Sequence, residues 1–101
     1  LGTINLRNKH IALFGLGDQI GYPEWFQDAL GYLWHRVVRL GASAKGEWPN
    51  IGYDFIESKA LNEEKNFFVG LALDEENQFD IVDDQICQWS SQVVHEFGLS
   101  P

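Results

Sequence analysis

Residues 11–22 read IALFGLGDQIGY. An unbroken apolar run passes into a turn with three glycines and closes on an aromatic ring. Ile11–Phe14 has the length of a strand and no alternation, which predicts a parallel strand covered on both faces. Gly15, Gly17 and Gly21 let the backbone come close to something flat or negative. Asp18 and Gln19 fall where that strand would end. Tyr22 stands just before Pro23, a residue suited to the first position of a helix.

Outward from this stretch, Leu1–Lys9 is a mixed lead-in, and Arg7-Asn8-Lys9-His10 reads as a turn. Pro23–Leu40 is expected as a helix: Phe26, Leu30, Leu33, Val37 and Leu40 recur at steps of three and four, widened by Ala29, Trp34 and Val38. Gly41 suits the helix stop. Ala42–Trp48 follows as a short strand. Pro49–Asn66 is polar and broken, and long for a connection in a small domain. Its Tyr53, Phe55 and Ile56 predict that it packs down. Phe67–Leu73 is a second apolar strand. The Asp74-Glu75-Glu76 run after it reads as a solvated strand end, since it lacks calcium-loop spacing. A last helix is expected from Asp83 to Phe97, with Ile86, Trp89, Val93 and Phe97 inward. Asp83 and Asp84 complement its dipole, and Asp80 is a candidate cap. Strand, helix, strand, helix is an α/β order with right-handed parallel crossovers.

Composition narrows the class. The 101 residues allow one small domain. A hydrophobic content of 45%, with four Trp and seven Phe, argues for a packed core. No apolar run reaches membrane-spanning length, and no signal peptide or basic presequence is visible. The chain starts at Leu1 and has no methionine, which predicts a processed product or a piece of something longer. The single cysteine, Cys87, suits a reducing compartment and a packing role. The net charge of −8 is lopsided: residues 1–50 carry five Lys/Arg against four Asp/Glu, residues 51–101 two against eleven. Such a field disfavours nucleic acid and anionic membrane and steers a basic protein partner. His10, His35 and His95 have no metal-ligand spacing, and the glycines match neither the Rossmann nor the P-loop pattern.

Four stretches carry a resemblance: IALFGLGDQIGYPEWFQDALG (11–31), GEWPNIGYDFIESKA (46–60), FFVGLALDEENQ (67–78) and DDQICQWSSQVVHEFGL (83–99). In this order and spacing the chain resembles the carboxy-terminal half of a long-chain flavodoxin, from the fourth strand onward, over residues 1–101. The resemblance implies a flavodoxin-like doubly wound parallel sheet, partial here, from a fold of strand order 2-1-3-4-5. Residues 49–66 would be the insertion that splits the fifth strand. It implies FMN as cofactor. Gly17, Asp18 and Gln19 would meet the carbonyl and N1/N3 edge of the isoalloxazine, with Gly15 and Leu16 leading into that loop. Tyr22 would stack on the ring. Trp25, where many members have asparagine, would lie beside it.

By the same resemblance the protein is an electron carrier rather than an enzyme, moving one electron at a time at low potential. Its partners would be basic redox proteins such as photosystem I subunits or ferredoxin–NADP reductase. Its place would be the cytoplasm or the chloroplast stroma, including the thylakoid surface. Two departures stand out. Phe79 replaces a small polar residue, and no Thr/Ser-rich phosphate loop is present. The rival expectation is a flavodoxin-derived docking or structural subunit that holds no flavin. On either reading two apolar parallel strands and two helices make an incomplete layer. A further chain or assembly is expected to close it.

Overall fold

The computed structural model describes residues 5–98. The leading strand is a single extended track with a break at Leu13, giving β1 (His10–Ala12) and β2 (Phe14–Leu16). Helix α1 (Asp28–Arg39) follows, then β3 (Ser43–Lys45) and β4 (Trp48–Pro49). After the long connection come β5 (Phe67–Phe68), β6 (Leu71–Leu73), a 3₁₀ turn (Phe79–Ile81) and α2 (Val82–Glu96).

β1 pairs in parallel with β3, with Ile11 opposite Ala44, and β2 pairs in parallel with β6, with Gly15 opposite Ala72. The hydrogen bonds show that both partners lie on one edge. The Lys9 carbonyl accepts from Ser43 N–H, the Leu13 carbonyl accepts from Leu71 N–H, and Gly17 N–H donates to the Leu73 carbonyl. Lys9, Leu13 and Gly17 are all odd-numbered, and alternate residues of a strand direct their backbone groups to opposite sides. β3 and β6 are therefore two pieces of one neighbouring strand, interrupted by residues 46–70. The even-numbered groups of His10, Ala12, Phe14 and Leu16 face the other edge, where no strand pairs with them among the described residues.

Two expected strands are each cut by a glycine. Ala42–Trp48 breaks at Gly46, whose φ of 87° is left-handed. Gly46 also lies under Trp89, whose Nε1 donates to its carbonyl at 2.8 Å. Phe67–Leu73 breaks at Gly70, where an added Cβ would collide with the Leu13 carbonyl. The piece before it, β5, turns back and pairs antiparallel with β4, Trp48 opposite Phe68. Sequence reasoning had both segments as parallel strand throughout.

The first helix starts later than expected. Residues 20–27 form successive turns, and Pro23 is not a helix start. Its carbonyl accepts the N–H groups of Ile56 and Glu57, at 2.7 and 3.0 Å. Gln27 adopts a left-handed φ of 61°, which blocks helix propagation through it. The last helix begins at Val82 with no side-chain cap, so Asp80 does not fill that role.

α1 and α2 cover opposite faces of β6. Ala72 joins Phe26, Leu30, Ala60, Phe68 and Val69 on the α1 side. Leu71 and Leu73 pack with Val82, Trp48 and Trp89 on the α2 side. The long connection packs down as its aromatics predict: Tyr53 and Phe55 lie against Phe26 and Phe68, with centroids 5.0–5.7 Å apart. Ile56 does not join them and is exposed. The Tyr53 hydroxyl donates to the Ala72 carbonyl and accepts from Trp48 Nε1 and, from α2, Gln85 Nε2. Burial pushes this phenol up to about 12.

β2 has no such cover on its α2 side. Phe14 is 60% and Leu16 62% exposed, although Phe14 meets the Trp89 edge at 6.4 Å. Leu33 and Ile86, expected on inner helix faces, are also exposed. The two-sided cover predicted for Ile11–Phe14 is not supplied by residues 5–98.

Candidate functional site

The site forms where β2 and β6 end side by side. Parallel strands that finish together under a glycine-rich turn leave backbone N–H groups facing a crevice, the usual ligand position in open α/β sheets. Three buried polar side chains, Gln27, Gln19 and Asp74, fix those ends. Gln27 Nε2 donates to both the Gly15 and Leu73 carbonyls at 3.0 Å, so one amide ties β2 to β6. Those two hydrogen bonds help hold a non-glycine residue in the left-handed conformation there.

Residues 17–22 are wound around Asp18. Its Oδ1 accepts the N–H groups of Ile20 (3.2 Å) and Gly21 (2.8 Å), and its carbonyl accepts Tyr22 N–H at 2.9 Å. A Cβ at Gly21 would meet the Asp18 carboxylate, so a larger residue there would push that side chain aside. The Asp18 N–H itself donates to no acceptor among the described residues. Gln19 is buried: its N–H donates to Asp74 Oδ2 at 2.9 Å, and its Oε1 accepts the Asp54 N–H.

The site residues expected from the sequence come together here, in unequal ways. Gly15 and Gly17 lie close against Gln27 and Phe26. Leu16, Tyr22 and Trp25 present side chains outward, Tyr22 60% and Trp25 64% exposed. The two rings stand 6.4 Å apart and 32° from parallel. The arrangement offers a flat ligand an aromatic face, a free N–H donor and a glycine backbone that lets it approach.

Sequence reasoning missed Gln27 and Asn77, and took Asp74 as a solvated acid near the ring rather than as a buried anchor. Asp74 is not part of a solvated strand end: it is fully buried, while Glu75 and Glu76 are exposed. Its Oδ1 accepts the Glu76 and Asn77 N–H groups, and its Oδ2 accepts Asn77 Nδ2 at 2.8 Å. Asn77 Nδ2 also donates to Asp18 Oδ1 at 2.7 Å. The available signal was an Asp four residues before Gln78 and directly after an apolar strand, a position suited to an Asx turn.

Both carboxyls sit below their usual values. For Asp18 the largest cause is the Gly21 N–H, followed by Asn77. For Asp74 burial pushes upward, but the hydrogen bonds from Asn77 and Gln19 outweigh it. A depressed folded value stabilises the loop fully above the unfolded value of about 3.9. That contribution is lost as pH falls through the lower folded values. The loop is therefore expected to hold unchanged down to about pH 4. Carbon-detected titration of the two carboxyls should show both inflections below that point.

No protein-family model matches the chain. Among curated proteins it is 50% identical over 99 residues to a flavodoxin of Synechococcus elongatus, covering 98% of this chain and 57% of that protein. It is 47% identical over 98 residues to flavodoxin 2 of Escherichia coli, covering 97% of this chain and 57% of that one. Among solved structures, Fusobacterium nucleatum flavodoxin bound to flavin mononucleotide superposes with a TM-score of 0.87. It shows 33% identity over 92% of this chain and 55% of its own. The fold is thus flavodoxin-like, and the sequence is flavodoxin-like along nearly its whole length. The chain spans a little over half the length of the curated relatives it matches. Among the described residues no helix is long and apolar enough to cross a membrane.

Proposed function

We propose that this chain is the carboxy-terminal half of a long-chain flavodoxin and supplies the ring-binding side of an FMN-dependent one-electron carrier. The observation that carries the reading is the loop at residues 16–22: an Asp18 N–H with no acceptor among the described residues, an exposed Tyr22 ring and glycine backbone, at the ends of two parallel strands. These residues fit an isoalloxazine edge and face. Nothing in residues 5–98 has the Thr/Ser-rich character that a flavin phosphate needs, so that end of the cofactor falls to other chain.

When bound, FMN supplies the capacity to take up and release single electrons. This chain's residues do the rest. Tyr22 would cover one ring face, with Trp25 beside it. The Asp18 N–H would donate to a ring-edge acceptor. Asp18 and Asp74, both ionised at neutral pH, make added negative charge nearby more costly. That favours a low potential.

The face beyond β6 suits a basic partner. Glu75, Glu76, Asp80, Asp83 and Asp84 are all exposed, and no Lys or Arg occurs from residue 66 onward. Photosystem I subunits and ferredoxin–NADP reductase are partners of this class. The surrounding medium would be cytoplasm or stroma, and residues 49–66 would be the insertion of the long-chain branch. A flavin-free docking subunit is the second reading. It is favoured by the edge of β1–β2 that has no strand partner among the described residues.

Flavin titration of the protein carrying this chain separates the two. FMN is expected to quench the fluorescence of the protein, and yellow colour should survive desalting. Tyr22→Ala should weaken binding about 10- to 100-fold, through lost stacking and ring burial. A protein that stays colourless and ignores FMN supports the docking subunit.

A further inference from the structure

We propose that Asp74 and Asn77 are positioning residues for the flavin-receiving loop, holding residues 17–21 in place from the end of β6. The proposal rests on the flavin reading above and names residues outside the loop as part of its site. Four donors converge on the buried Asp74 carboxylate: Gln19 N–H and Asn77 Nδ2 at Oδ2, Glu76 N–H and Asn77 N–H at Oδ1, all at 2.8–3.1 Å. A group surrounded only by donors has to be an ionised carboxylate, because an amide would turn its own N–H₂ against one of them.

Asn77 completes the latch. Its one amide nitrogen bridges Asp74 and Asp18, so the two carboxylates are joined through a donor rather than left in mutual repulsion. The remaining bonds of the loop are mostly internal: Ile20, Gly21 and Tyr22 N–H groups all return to Asp18. They shape the turn but do not anchor it. Besides Gly17 N–H on Leu73, and Gln19 Oε1 on Asp54, anchoring among the described residues comes from Gln19 to Asp74 and from Asn77 to Asp18. Cutting either bond should leave the loop correctly folded on itself, Tyr22 included, but displaced relative to the end of β6. A displacement of that kind affects ring binding before it affects the core.

The test uses the intact protein that carries this chain, with Asn77→Ala and Asp74→Asn, and with FMN and riboflavin as probes. Asn77 is exposed, so its variant folds even if the Asp74 variant does not. Loss of hydrogen bonds to charged groups should weaken both flavins about 10-fold for Asn77→Ala and up to about 100-fold for Asp74→Asn. The factor should be the same for riboflavin, which lacks the phosphate, because the defect lies at the ring. Exchange of the Gln19 amide hydrogen should accelerate while α1 and α2 keep their protection. Flavin affinities within twofold of the unsubstituted protein would overturn the proposal. So would exchange that accelerates equally in both helices, which would mean a purely structural role. If the unsubstituted protein holds neither flavin, the flavin reading fails, and Gln19 exchange in Asn77→Ala still decides whether the latch exists.

Discussion

Phe68→Ala is expected to cost about 3–5 kcal/mol of folding stability, the range for truncating a fully buried phenylalanine. Phe68 has no exposed surface and touches the Phe26, Tyr53 and Phe55 rings at centroid separations of 5.0–5.8 Å. Two of those rings arrive from the long connection, and Phe26 from the turns before α1. Removing Phe68 therefore loosens the parts of the chain that stand behind Gly17 and Gln19, as well as the core. Total stabilities of small domains run at about 5–15 kcal/mol, so the loss is a large share. Urea unfolding of the intact protein should show a clearly lower midpoint for Phe68→Ala. Ile56→Ala, at a side chain 66% exposed, should move it by less than about 0.5 kcal/mol. Equal shifts for the two variants would mean that the aromatic cluster is not the seat of the packing.

What could be read from the sequence divides along local and non-local lines. The apolar run at Ile11–Phe14, the stripe through Leu30 and Val37 and the strand at Leu71–Leu73 are local patterns, and each became the expected kind of element. The glycine loop was legible because Gly15, Gly17 and Gly21 stand within seven residues, directly after the apolar run. What failed to show was set by distant partners. Pro23 looks like a helix start until the N–H groups of Ile56 and Glu57 claim its carbonyl. Asp74 looks like one of three solvated acids until Gln19, 55 residues away, donates to it. Phe67–Leu73 splits at Gly70, where the Leu13 carbonyl leaves no room for a Cβ, a contact that nothing near Gly70 announces. The tie made by Gln27 is non-local too, since it spans Gly15 and Leu73 from a residue that reads as ordinary helix.

Residues 5–98 without a further strand are expected to self-associate in dilute buffer and to melt without a cooperative transition. The backbone groups of His10, Ala12, Phe14 and Leu16 on the free edge have no strand partner among the described residues, and open edges of apolar strands pair with whatever strand they meet. Phe14 and Leu16 each leave more than half of their surface in water. Covering them would contribute about 1–2 kcal/mol apiece, and each edge hydrogen bond made adds about 1 kcal/mol more. Summed over that edge the gain is on the order of several kcal/mol, comparable with the whole stability of a domain this size. Adding a polypeptide with the strands of an amino-terminal flavodoxin half should convert the chain to a single species in sedimentation. It should also give a cooperative melt and shield the Trp89 edge beside Phe14. Phe14→Lys together with Leu16→Lys should abolish that rescue while leaving α1, on the opposite face, in place. A monomer of these residues that melts cooperatively by itself would show that the edge needs no cover, and the requirement for a further strand would fall with it.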